Sequence, residues 1–175
     1  MAANWTAFVA GDVLTAAQLN GVVDNFADIA IFNETQTGAT AGGTSTSGSF
    51  AKRTLNTTVV NNIGGCSIAT SVVTLATAGT YYLRGSTPAY QCNMLQSRIQ
   101  NTTAATTVAT GQNCYSGSGD SVHATSIVEG ILTITTSTNI ELQCRVGAGK
   151  ATEGLGVASG YTDSIYSQLM IVRIA

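Results

Sequence analysis

The only histidine of the chain, His123, is the first residue to test for catalysis, because a carboxylate and a serine lie close to it. Asp120 and Ser121 precede it in a Ser-Gly-Ser-Gly-Asp-Ser run. A serine nucleophile needs a histidine base, and that base needs a carboxylate or another group to orient it. Asp, Ser and Gly are also the ordinary residues of tight turns. The pattern therefore favours a plain loop or strand histidine over a catalytic one.

Residues 147–152 have a glycine-lysine pair, which is part of the phosphate-binding loop motif. That motif has a glycine five residues before the Gly-Lys pair and a hydroxyl residue after the lysine. In this chain Cys144 and Ala151 occupy those two positions. We therefore expect a flexible turn here and no nucleotide site.

The carboxylates do not form a recognisable metal or catalytic pattern. None of the nine acidic residues has the Asp-x-Asp spacing of a calcium loop, and one histidine with separated cysteines does not match a zinc site. A glycosidase pair would have to be assembled by the fold from the carboxylates of the second half of the chain: Asp120, Glu129, Glu141, Glu153 and Asp163. The sequence therefore predicts no enzyme, no metal and no cofactor.

Composition limits the class of protein further. The 175 residues suffice for one domain and a small attachment, and 44% of them are apolar while only 9% are charged. A net charge of −2 argues against a nucleic-acid partner, which would require a basic surface. Membrane insertion is not expected because no apolar run approaches about 20 residues, and the first residues lack the pattern of a secretory signal.

An amphipathic helix is predicted over about residues 15–31. Thr15 and Gln18 have the spacing of a capping box, and Leu14 and Leu19 that of a hydrophobic staple. Apolar residues then recur every three or four positions, at Leu19, Val22, Val23, Phe26, Ile29 and Ala30. So short a helix must bury this stripe, either against its own domain or against another chain. The linker that follows favours the second alternative.

Three regions follow from the changes in composition: an attachment segment over residues 1–32, a linker over 33–49 and a β region over 50–175. Residues 38–49 have no charge and no large apolar side chain, which is typical of a flexible linker. In the β region, residues 139–146 alternate perfectly between polar and apolar. Residues 126–136 form a second strand, and the two are expected to pair as a hairpin.

The last strand, predicted over residues 165–174, is apolar on both faces. One face has Ile165, Leu169 and Ile171, and the other has Tyr166, Met170, Val172 and Ile174. A strand of this kind lies centrally, with its own core on one side and another layer or chain on the other. Eight to ten short strands with no helical pattern between them indicate a mainly β sandwich or jelly roll.

The opening of the chain resembles a short segment found at the start of many tailed-bacteriophage virion proteins. The matching residues are Trp5, Phe8, Gly11-Asp12-Val13-Leu14-Thr15-Ala16-Ala17 and Leu19-Asn20. The resemblance implies a non-enzymatic structural protein that is assembled in the host bacterial cytoplasm and lies at the virion surface. It also implies that the segment docks on the major capsid protein or another virion protein. The docking side chains would be Trp5, Phe8, Leu14, Leu19, Val22, Val23, Phe26 and Ile29.

Residues 73–83 resemble the third strand of the jelly roll shared by tumour necrosis factor and complement-type globular heads. The segments around 132–134 and 140–142, and the end at residues 169–174, are similar to later strands of phage versions of that fold. This resemblance implies a homotrimer, with Tyr166, Met170, Val172 and Ile174 at its interface. Two functions fit: a capsid decoration (cement) protein, or a short fibre or spike whose β head binds a host receptor through exposed Tyr90, Tyr115 or Tyr161.

The four cysteines, Cys66, Cys92, Cys114 and Cys144, could form two disulfides by count alone. Assembly in a cytoplasm would keep them reduced, and a core of this size does not need cross-links. We expect free thiols, with Cys144 buried on the apolar face of its strand and Cys114 the most exposed of the four.

Overall fold

The chain folds into two antiparallel β-sheets packed face to face. The computed structural model describes Val13, Thr15 and residues 28–175, and no helix occurs in that part of the chain. The strands are β1 (Ile29–Gln36), β2 (Ala51–Lys52), β3 (Thr57–Asn61), β4 (Cys66–Ala69), β5 (Val72–Leu75), β6 (Gly79–Tyr90), β7 (Asn93–Asn101), β8 (Thr106–Thr110), β9 (Cys114–Ser116), β10 (His123–Ile134), β11 (Thr138–Val146) and β12 (Ser164–Arg173).

The strand order confirms a sandwich and corrects one predicted pairing. The first sheet has five strands in the order β10-β6-β12-β1-β3, and the second has seven, β4-β5-β11-β7-β8 with β2 on β11 and β9 on β7. The expected hairpin between β10 and β11 is wrong, because these strands belong to different sheets. Each strand buries its apolar face against the opposite sheet. The short turn at residues 135–137 therefore carries the chain from one sheet to the other.

The main core lies between the two sheets. Burial alternates along β6 and β10 as the pleat requires. The fully buried side chains include Phe32, Leu83, Leu169 and Ile171 from the five-stranded sheet and Leu75, Ile99, Ile140 and Leu142 from the seven-stranded sheet. The sheets approach closely at Gly85, where an added Cβ would lie 2.6 Å from Leu142 Cδ1.

A second, smaller core lies towards one end of the sandwich. It contains Ala89, Cys92, Leu95, Ala124, Cys144 and Val146. We call this end of the molecule the far end. We call the opposite end the terminal end. There Ile29 of β1 pairs with Val172 of β12, and the carbonyl oxygen of Ala175 accepts a hydrogen bond from the backbone N–H of Thr80. The chain therefore enters and leaves the β region at the same end.

The structure moves the predicted boundaries of the attachment segment and the linker. Residues 29–31, predicted as the last turn of the helix, and residues 33–36, predicted as linker, belong to β1, an inner strand of the five-stranded sheet between β12 and β3. Ala30 and Phe32 are fully buried there. The β-branched and aromatic residues at 29–32 fit a pleated strand as well as a helical stripe, and packing between β12 and β3 decides the outcome. The rest of the predicted helix lies outside the described residues, apart from Thr15 and Asp28.

Residues 37–49 pack on the β-sandwich, against the loop before β12, and do not form a free linker. Gly42 donates to Gly156 O at 2.9 Å and Ser45 donates to Lys150 O at 2.9 Å. A Cβ at Gly42 would lie 2.7 Å from Leu155 O, so the small residues allow close backbone contact. The small residues that predicted a flexible linker therefore allow this segment to pack closely on the loop before β12.

Candidate interaction surface

The outer face of the five-stranded sheet presents a continuous apolar surface. Pairing places Ile29, Val172, Tyr82 and Ile131 in one row across four adjacent strands. The next row has Val60, Ile31 and Met170 side by side. We call these seven residues the apolar sheet face: Ile29, Ile31, Val60, Tyr82, Ile131, Met170 and Val172. Six of them are half-buried by their neighbours, and Ile131 is 55% exposed.

Polar groups border this face on the side towards the far end. Arg84 forms a 3.0 Å ion pair with Glu129, and Gln168 donates to Asn33 Oδ1 at 3.0 Å. An apolar centre with a polar rim is the usual anatomy of a protein–protein interface. Exposed contiguous apolar side chains of this kind mark an interaction site more often than a free surface.

The four predicted interface residues do not share one face. Met170 and Val172 belong to the apolar sheet face, and Ile174 follows β12 with 53% of its surface exposed. Tyr166 instead points inward, is 8% exposed, and donates its hydroxyl to Thr40 O at 2.8 Å. The predicted place of Tyr166 at the interface is therefore wrong. β12 has a bulge opposite Glu34, and its extra residue reverses which side chains of β12 face inward before the bulge.

Most of the apolar sheet face lies beyond what local sequence patterns predict. The patterns give no interface role to Ile31, Val60, Tyr82 and Ile131, and they place Ile29 in a docking helix. The alternation of β6 and β10 was sufficient to put Tyr82 and Ile131 outward. The strand order that brings them beside Val172 is a long-range property that no local pattern contains. The other docking side chains, Trp5, Phe8, Leu14, Leu19, Val22, Val23 and Phe26, lie outside the described residues.

Away from the far end, the outer face of the seven-stranded sheet is polar and internally hydrogen-bonded. Arg98 lies 4.2 Å from the centre of the Phe50 ring and donates to Gln143 Oε1 at 2.8 Å. Gln143 in turn donates to Glu141 Oε2 at 2.7 Å, and Lys52 lies 3.8 Å from the same carboxylate. The two sheets therefore present different outer faces, and the apolar one belongs to the five-stranded sheet.

In the described chain the His123 side chain contacts Val157 and Tyr90. Its Nε2 accepts the backbone N–H of Val157 at 3.1 Å, and its ring packs edge-on against Tyr90 with centroids 5.2 Å apart. Among the described residues no hydrogen bond links it to Asp120 or Ser121, which lie in a turn closed by Asp120 N–H and Gly117 O. The imidazole therefore holds the 151–163 loop against β10.

The remaining sequence candidates are also accounted for by local structure. Residues 147–150 form a turn whose Lys150 N–H donates to Ser45, so the glycines there serve a loop contact. Within residues 28–175 no group of three His, Cys, Asp or Glu side chains is arranged for a metal ion. In the same part of the chain no helix is long and apolar enough to cross a membrane.

All four cysteines are free thiols. Cys66, Cys92 and Cys144 are buried, and Cys114 is half-buried, so the predicted order of exposure is confirmed. Burial raises the pKa of the Cys66 thiol from 9.0 to about 11. It also raises the pKa of the Cys144 thiol, although the Arg53 charge opposes the shift. A thiol of raised pKa is a poor nucleophile because the thiolate is the reactive form.

The difference in burial between Cys114 and the other three cysteines predicts that the thiols react at different rates. In the folded protein at pH 7.5, Cys114 should react first with an aromatic disulfide reagent, and the other three only on unfolding. Spectrophotometric titration should give four thiols per chain in denaturant, and Cys114→Ser should remove the fast phase alone. Fewer than four thiols in denaturant, or equal rates for Cys66 and Cys114, would refute the assignment.

Comparison with known proteins gives a fold and no sequence relative. No family model and no curated protein matches the sequence. Among solved structures, the globular domain of zebrafish complement 1qA matches with a TM-score of 0.51 and 16% identity, over 84% of this chain and 95% of that one. Murine APRIL at pH 5.0 matches with a TM-score of 0.50 and 11% identity, over 83% of this chain and 98% of the APRIL chain. The fold is that of the tumour-necrosis-factor and C1q heads. This confirms the predicted jelly roll, and identities this low carry nothing beyond it.

Proposed function

We propose that the chain is a non-enzymatic virion structural protein, a homotrimer that decorates a phage capsid and is attached through its N-terminal segment. The observation that carries the trimer is the apolar sheet face on a head of the tumour-necrosis-factor and C1q fold. The attachment rests on the resemblance of residues 5–20 to the opening segment of phage virion proteins. We place the capsid role first, and the copy number per virion separates it from a fibre.

Association through the apolar sheet face would remove seven apolar side chains of each chain from water. Burying a large apolar side chain fully is worth about 1.5–3 kcal/mol, and these are already half-buried, so each would contribute part of that amount. Three chains around one axis bury three such faces. The Arg84–Glu129 pair at the border would stay at the rim, where an ion pair costs little to keep.

The position of Asp28 and Ile29, at the start of β1, fits this assembly. Ile29 belongs to the apolar sheet face, and Asp28 just before it lies 3.8 Å from Arg173 in an ion pair. In a trimer built on this face, three N-terminal segments would therefore leave the heads from the terminal end, close to one another. Three weak docking segments that act together bind far more tightly than one.

A truncation that removes residues 1–27 tests the attachment. Removal of residues 1–32 would cut into β1, so the truncation has to end before Asp28. We expect a folded β head with an unchanged number of chains per oligomer that no longer joins particles, as measured by light scattering and co-sedimentation. The paired substitution Trp5→Ala/Phe8→Ala is the milder test, with Val13→Ala as its control. Unchanged co-sedimentation of the truncated protein would place the docking surface on the head.

A short fibre or spike remains the second candidate, and the exposure of Tyr115 favours it. Tyr115 is 70% exposed near the far end, and Tyr161 in the loop before β12 is 91% exposed. Tyr90, the third candidate, is half-buried beside His123. Copy number separates the two functions: hundreds of chains per virion, by quantitative mass spectrometry, would indicate decoration, and a dozen or fewer would indicate a fibre.

A further inference from the structure

A groove crosses β7 and β11 on the outer side of the seven-stranded sheet, at the far end. Gln96 of β7 and Arg145 of β11 are cross-strand partners in it. The loop at Ser47–Gly48 lines one side and Asn113 the other. The volume of the groove is about 520 Å³, which lies within the range of about 300–1,000 Å³ for small-molecule sites.

Arg145 is the charged group of the groove and has no partner in the described chain. Its side chain is exposed, and among residues 28–175 no hydrogen bond or ion pair engages its guanidinium. The nearest carboxylate along the same face of β11 is Glu141, which Gln143 and Lys52 already engage. A free guanidinium presents its donors in the planar arrangement that matches a carboxylate.

Beside Arg145 an amide pair offers both donors and an acceptor. Gln96 Nε2 donates to Asn113 Oδ1 at 2.6 Å and also lies 3.4 Å from Gly111 O. These bonds fix both side chains in place. In the described chain they leave Gln96 Oε1 and the two Nδ2 hydrogens of Asn113 unused. A hydroxyl group both donates and accepts, so neighbouring hydroxyls can engage this pair.

An apolar platform completes the groove. Met94 and Tyr115 are cross-strand partners on β7 and β9, and both side chains are about 70% exposed. Met94 lines the groove, and Tyr115 is paired with Met94 and directly follows the lining residue Cys114. Such a platform offers the apolar body of a methionine and the flat face of an aromatic ring, which suits the C–H face of a pyranose.

We propose that this groove binds a carboxylate-bearing sugar, of the hexuronic acid class. Arg145 engages the carboxylate, Gln96 and Asn113 engage ring hydroxyls, and Met94 with Tyr115 supports the ring. All of these residues belong to one protomer and lie on the sheet opposite the apolar sheet face. Binding therefore depends neither on trimer formation nor on attachment. If the terminal end faces a particle, the groove at the far end faces the surroundings.

The probes are methyl β-D-glucuronide and methyl β-D-glucoside, which differ only at C6, a carboxylate in the first and a hydroxymethyl group in the second. We expect saturable binding of the glucuronide in NMR titrations of the full chain, about tenfold tighter than the glucoside, as one charged hydrogen-bonded pair provides. Arg145→Gln should abolish that preference. Tyr115→Ala should weaken both ligands by a similar factor. Lys150→Gln, which removes the same charge outside the groove, should change neither.

Three outcomes would overturn the proposal. One is the absence of saturable glucuronide binding, and another is an unchanged preference in Arg145→Gln. The third is equally tight binding of N-acetylglycine, which would show that the carboxylate alone is recognised and no sugar is required. All measurements use purified protein without particles, so a failure of capsid attachment would leave them unaffected.

Discussion

Replacement of Arg53 by methionine is expected to lower the free energy of unfolding by about 3–5 kcal/mol, the cost of breaking a buried ion pair. Arg53 and Glu34 are buried, with side chains 0% and 1% exposed, and Arg53 Nη2 lies 2.6 Å from Glu34 Oε2. The guanidinium also donates to Ser167 Oγ at 2.6 Å and to Leu155 O at 3.2 Å. One side chain therefore joins β1, β12 and the loop after Lys150.

The cost arises from what the substitution leaves behind. Methionine fills much of the same space, but the Glu34 carboxylate would stay in the interior without a counter-charge. The double variant Arg53→Met/Glu34→Leu removes both charges and should recover most of the lost stability. Guanidinium unfolding at a fixed protomer concentration measures all variants, since the stability of an oligomer depends on concentration.

The adjacent residue provides a matched control. Lys52 lies 3.8 Å from Glu141 with 36% of its side chain exposed, so Lys52→Gln should cost less than about 1 kcal/mol. If Arg53→Met costs as little as Lys52→Gln, or the double variant is no more stable than the single one, the ion pair is not the stabilising element described.

Val172→Asp is expected to convert the proposed trimer into single chains while the β head stays folded. Val172 lies between Ile29 and Tyr82 in the fully apolar row of the sheet face. A carboxylate placed there would lose its water in the interface at a cost of several kcal/mol, repeated three times around the axis. Met170 is the weaker test position, because its cross-strand partner Arg84 could pair with an introduced aspartate.

The matched control is Thr110→Asp, which adds the same charge to an exposed strand position of the seven-stranded sheet. Size-exclusion chromatography with light scattering should show single chains for Val172→Asp and an unchanged mass for Thr110→Asp. Circular dichroism should show the same β signal for both. A trimeric Val172→Asp protein would exclude the apolar sheet face as the interface.

Local patterns predicted the strands well because alternation is a local property. Residues 139–146 were predicted as a half-buried strand and form β11, and Val128 and Ile134 face the core while Ile131 faces outward. The failures have non-local causes. The pairing of β10 and β11 depends on which sheet each strand joins, and the orientation of Tyr166 depends on a bulge opposite Glu34.

The groove and the apolar sheet face were beyond sequence analysis for the same reason. Gln96 and Arg145 are 49 positions apart in the sequence, and only the register of β7 on β11 makes them neighbours. The buried position of Arg53 also has no local signal, because an arginine next to Lys52 is ordinarily an exposed residue. Pairing between distant strands therefore creates both candidate surfaces.

The mass of the full chain in solution is the most direct test of the trimer. Sedimentation velocity at micromolar concentration is expected to show one species with the mass of three 17.9 kDa chains, and it should persist on tenfold dilution. A single species with the mass of one chain at that concentration would contradict the assembly proposed for the apolar sheet face.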